Sequence, residues 1–91
     1  MFNWFKTKQK ELMFVGKLYK PTRDLGLNCG KPYTFNVVKK DSILLLISKM
    51  ALNDDMMEYT FFFGNKKIKH TNKLTNEQWF FDLFIEVDEN T

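Results

Sequence analysis

The chain has 91 residues and a net charge of +3, with 44% apolar and 27% charged residues. That length holds one domain with a shallow core and excludes two, and an aromatic content of 16%, ten Phe with three Tyr and two Trp, excludes disorder over most of the chain. One His, one Cys and four Gly leave no recognisable metal, phosphate or nucleophile motif.

The charge is unevenly placed. Residues 1–50 hold ten Lys/Arg against three Asp/Glu, a balance of +7, and residues 51–91 hold four against eight, a balance of −4. Such a split suggests a basic and an acidic face, although two ordinary solvated surfaces explain it equally simply. Cys29 has no intramolecular partner, and the opening MFNWFKTKQKE has no apolar h-region, so a cytoplasmic protein is expected. The aliphatic run of residues 43–47 is far short of the roughly 20 residues of a spanning helix, so no membrane span is expected.

Residues 1–10 form an aromatic and basic amino-terminal segment, residues 11–88 a single β-rich domain and residues 89–91 a tail. Within the domain, residues 11–19 are apolar on both parities, which predicts a strand buried on both sides with Gly16 at a bulge or close approach. Residues 21–32, with two prolines, two glycines and an Asn, predict a long loop. Residues 33–38 alternate as a strand does, and Lys39, Lys40, Asp41 and Ser42 close it. Residues 42–48 predict a central strand in preference to the front of a helix running to Leu52.

Asn53, Asp54 and Asp55 mark a turn or cap before residues 58–63, which suit a pleated surface. Gly64-Asn65 predicts a tight hairpin turn into residues 66–70, where one Ile among lysines fits an exposed edge strand. Thr75-Asn76-Glu77-Gln78 has the pattern of a capping box. Beyond it, one helical turn followed by a strand over residues 81–87 is preferred to a continuous helix, because period-two alternation and the β-branched tail favour the strand.

Parity within these strands predicts a core of Phe14, Leu18, Phe35, Val37, Leu45, Ile47, Phe61, Leu83 and Ile85. The fold class is therefore mainly β with one or two short helices. The element order over residues 12–87 resembles the small SH3-like barrels, with a long first loop, an antiparallel meander and a short helical turn before the closing strand. The resemblance implies a small antiparallel barrel or strongly curved sheet, and no binding residue is carried over from it. The short, Lys-, Asn- and Phe-rich sequence is also similar in style to accessory proteins of bacteriophages and mobile elements.

Candidate chemistry is sparse. His70 lies between lysines without metal-ligand spacing and is expected to be an exposed edge-strand residue. Cys29 reads as an inert loop thiol. Asp54, Asp55 and Glu58, and Asp82, Glu86 and Asp88, lack the spacing of a calcium loop and read as solvated faces. No catalytic residue, cofactor or metal is assigned, and an enzyme is the weakest functional class.

Two stretches are candidate partner-binding surfaces. Phe2, Trp4 and Phe5 precede Lys6, Lys8 and Lys10, a combination that suits a partner groove, an anionic surface or single-stranded nucleic acid; the same aromatics could instead cap the core. Lys66, Lys67 and Lys69, beside Tyr59, Phe61 and Phe63, have the composition of a nucleic-acid platform, although no RNP-like or helix-turn-helix pattern is present. By elimination, the sequence points to a non-catalytic module that binds, and inhibits or redirects, a larger protein; a small basic-faced nucleic-acid-binding domain is the alternative.

Overall fold

The computed structural model describes residues 13–32 and 34–87. Half of the described residues are in strands, with one short helix, so the fold is mainly β. Seven strands, β1 Leu18–Pro21, β2 Leu25–Leu27, β3 Asn36–Val38, β4 Leu44–Ala51, β5 Met56–Phe63, β6 Lys66–Lys73 and β7 Phe84–Glu86, are joined by a 3-10 turn Leu74–Asn76 and a helix α1 Glu77–Phe81. Five form an antiparallel sheet in the order β6-β5-β4-β1-β7, and β2 and β3 pair separately as a two-stranded ribbon. Because β6 and β7 end the larger sheet without pairing to each other, it is open; the expected SH3-like barrel does not close.

Local chemistry sets the long meander. Gly64, with φ +65°, and Asn65 join β5 to β6 in a two-residue turn, and positive φ at the first central residue is what a type II′ hairpin requires. Between β4 and β5, Asn53 Oδ1 accepts the amides of Asp55 at 2.8 Å and Met56 at 3.0 Å, an Asx turn that reverses the chain. A bulge at Ile47 shifts the register between Leu46 and Ser48. It re-aims the following residues, so that Lys49 pairs with buried Tyr59, its ammonium 5.8 Å from the Phe81 ring and donating to Met13 O at 3.2 Å.

The core is the inner face of this sheet, carrying Tyr19, Leu44, Leu46, Tyr59, Phe61, Ile68 and Phe84. Phe80 and Phe81 of α1, with Leu25, Leu27 and Val38 of the ribbon, cover it as a second layer. Aromatic rings knit the layers: Phe61 stacks on Phe84 at 5.6 Å, and Tyr59 meets Phe80 at 5.0 Å and Phe81 edge-on at 6.2 Å.

Several sequence expectations need correction. Of the nine predicted core residues only Phe61 is fully buried; Leu18, Leu45, Ile47 and Leu83 are partly buried, and Phe14, Phe35, Val37 and Ile85 are exposed. The buried parity belongs instead to Tyr19, Val38, Leu44, Leu46 and Phe84. One-residue offsets invert a strand's faces, and runs such as Leu44-Leu45-Leu46 are equally apolar on both. Gly16, at φ +95°, donates its amide to Leu46 O at 2.8 Å while the Leu46 amide donates to Lys17 O at 3.1 Å, so Gly16 and Lys17 together oppose Leu46: the expected bulge is present, and it is the regular strand that is shorter than expected, β1 starting only at Leu18. The expected loop of residues 21–32 contains β2. The capping box does not form: Thr75 lies inside the 3-10 turn, Asn76 makes no side-chain cap, and Gln78 Nε2 donates to Asp82 Oδ1 at 3.0 Å. The helical turn followed by a strand is observed, the strand beginning at Phe84.

Candidate functional site

The ribbon, the edge strand and the helix meet around a cavity of about 350 Å³. β2 supplies Leu25, Gly26 and Leu27, the preceding turn Arg23 and Asp24, β6 His70, α1 Trp79 and Phe80, and the segment after it Leu83. The helix divides its aromatics: Phe80 and Phe81 are buried, whereas Trp79 is 57% exposed at the cavity rim. The two rim charges differ. Asp24 is engaged, accepting the Lys40 amide at 2.8 Å and lying 3.9 Å from Lys39 Nζ, whereas Arg23 makes no hydrogen bond or ion pair among the described residues.

His70 forms the inner wall. It lies on the inward row of β6 opposite Tyr59, and its ring stacks on Phe80 with centroids 4.7 Å apart and planes 11° from parallel. Nδ1 accepts the Asn28 amide at 3.2 Å, which requires that nitrogen to be unprotonated. Nε2 is buried, with no hydrogen-bond partner of acceptable geometry among the described residues. Burial pushes the imidazole below its ordinary pKa; the Asn72 side chain works the other way and is outweighed. The expected edge position of residue 70 is correct, but its expected exposure is not, because alternation turns it inward beneath the ribbon. Behind it, Tyr59 donates to Glu77 Oε2 at 3.1 Å, and burial together with the Glu77 carboxylate pushes the phenol pKa up.

The lysines singled out in the sequence are only partly brought together. Lys66 lies on the inward row and donates to Asn36 Oδ1 at 3.0 Å. Lys67 and Lys69 are on the opposite face, aligned with Phe62 and Thr60, and line a cleft of about 250 Å³ with Cys29, Thr34 and Asn36. Lys69 also pairs with Glu58 at 3.8 Å. Tyr59 and Phe61 are fully buried and Phe63 packs against the core, so the expected surface of aromatics interleaved with these lysines does not exist. Phe2, Trp4 and Phe5 lie outside the described residues.

Cys29 is half-buried in the loop beside β6. Asp54 and Asp55 are exposed, Glu86 reaches Lys17 at 4.0 Å, and Asp88 lies outside the described residues. No group of three metal-ligating side chains gathers among the described residues, and no helix among them is long and apolar enough to cross a membrane.

Trp79, Arg23 and the residues 25–27 escaped the sequence reading. Three separated segments build the cavity, and the one local signal was a Trp beside two consecutive Phe on a short helix, where a single turn cannot bury all three. No protein-family model, curated protein or solved structure matches this chain.

Proposed function

We propose that the protein is a non-catalytic interaction module that docks on a larger protein, in the manner of a phage-type modulator or inhibitor of a host protein, by taking an apolar side chain of that partner into the Trp79 cavity. The supporting observation is the cavity itself: about 350 Å³, within the range of specific pockets, with an exposed Trp at its mouth beside an Arg that has no partner among the described residues. Trp and Arg are the residue types that most often dominate the energy of protein interfaces. The cytoplasm is the compartment in which such a partner is expected. Affinity capture with wild-type, Trp79→Ser and Arg23→Glu baits tests the reading. The same partner should be retained by wild type and lost by both variants while their circular dichroism stays unchanged; equal retention by all three would refute it.

A second reading, nucleic-acid binding, draws on the Lys67–Lys69 cleft, which no carboxylate lines among the described residues, although Glu58 pairs with Lys69 at 3.8 Å. It predicts a DNA mobility shift that weakens steeply with added salt and is lost in Lys67→Glu/Lys69→Glu. Capture that depends on Trp79 and not on these lysines favours the first reading.

A further inference from the structure

The ribbon is tied to the sheet through both backbone polar groups of Asn28. Its amide donates to His70 Nδ1 at 3.2 Å, and its carbonyl accepts the Thr71 amide at 2.9 Å. The first of these bonds exists only while the imidazole is neutral, because a protonated Nδ1 is a donor and would face another donor. We propose that His70 is a proton-operated latch: neutral, it holds Asn28 and the β2–β3 ribbon against the sheet, and protonated, it releases the ribbon and opens the wall of the Trp79 cavity.

The surroundings make protonation disruptive. From α1, the Phe80 ring covers one face of the imidazole, and the nearest carboxylate on that element, Glu77, is engaged by the Tyr59 hydroxyl. β5 presents Tyr59, which burial keeps neutral. From the ribbon side, Arg23 adds a like charge to the same cavity, and Asp24 is held by Lys39 and the Lys40 amide. On β6 itself Lys69 faces the other side, paired with Glu58, and Asn72 offers a carboxamide without charge. No free carboxylate among the described residues compensates an imidazolium here.

The direction follows from linkage. Burial lowers the His70 pKa in the latched state, so latching is fully favoured above the ordinary value of about 6.5 and is lost as the pH falls below it. The loss is about tenfold in the latching equilibrium for each unit by which the pKa is held down. His70 is the one histidine of the chain, and imidazole is the side chain whose ordinary pKa lies in this range.

The test is an NMR titration of the free protein from about pH 7.5 to about pH 5, with amide exchange measured at each point. His70 is the chain's one imidazole, so its ring signals need no deconvolution. The latch predicts a midpoint below 6.5, with protection at Asn28 and along β2 falling on the same curve while β4 and β5 stay protected. In His70→Phe, which keeps the ring stack and lacks the acceptor, Asn28 protection should be low and independent of pH. Constant Asn28 protection through the imidazole titration, a midpoint at or above 6.5, or simultaneous loss across all strands would overturn the proposal. Partner capture plays no part in this experiment, so its failure leaves the binding reading untouched.

Discussion

The meander β4–β5–β6 and the ribbon β2–β3 are both antiparallel, yet they are built differently. Each meander strand has eight residues and contributes buried side chains to the inner face. Each ribbon strand has three; Val37 on the outer face is 57% exposed, and Phe35, just before β3, is 64% exposed. An isolated two-stranded ribbon is marginal in water. The ribbon therefore exists because Leu25, Leu27 and Val38 bury against the sheet and Asn28 bonds to β6. Stability is concentrated in the meander, and the cavity forms where the weaker element leans on the stronger one.

The largest test of that division is in the meander. Phe61 is fully buried and stacks on Phe84, so Phe61→Ala should cost about 3–5 kcal/mol, much of the stability of a domain of this size, read from urea or thermal unfolding. A melt close to wild type would show that the aromatic layer does not carry the fold.

A smaller effect is expected at the join between helix and sheet. Tyr59→Phe removes the hydroxyl bonded to Glu77, a partly exposed carboxylate that water can serve instead, and should cost about 1 kcal/mol near pH 7. Tyr59 has a folded pKa above its unfolded value of about 10, so its neutral form contributes stability that is complete below pH 10 and declines as the pH rises beyond it. The variant should therefore lose less stability than wild type as the pH is raised above about 10. An equal alkaline loss in both proteins would remove Tyr59 from the account.

On the ribbon, a Cβ at Gly26 would lie 2.5 Å from the tip of the Phe35 ring. Because that ring is exposed and free to swing away, Gly26→Ala should cost no more than about 1 kcal/mol, with the change confined to Phe35 in ring NMR spectra. Trp79→Ser should be smaller still, within about 0.5 kcal/mol, since most of the indole is already in water. A large destabilisation there would make Trp79 a core residue and not a docking one.

The same division explains what the sequence could and could not reveal. Gly64-Asn65 carries its own turn chemistry, and the lysines of β6 mark an edge, so the second hairpin is legible residue by residue. A strand here, expected over residues 42–48 and observed over 44–51, and the helical turn before β7 are legible from pattern and length. Facing is not, because Leu44-Leu45-Leu46, Val37-Val38 and Phe84-Ile85 offer apolar side chains to either side and only packing chooses between them. Nor is β2, since Leu25-Gly26-Leu27 between Asp24 and Asn28 has the composition of a loop and becomes a strand by lying against Val38 and the sheet. Of the candidate site, the sequence singled out His70 without its role; Arg23 and Trp79 gain theirs only when distant segments are folded together.

Whether a firm meander bears a separately releasable ribbon is decided by native-state hydrogen exchange at neutral pH over a series of low urea concentrations. Amides of β4 and β5 should exchange only through global unfolding, with a steep urea dependence, whereas those of β2 and β3 should exchange through a smaller opening with a shallow one. Ribbon amides as slow as those of the meander, with the same urea dependence, would show one cooperative unit and contradict the account.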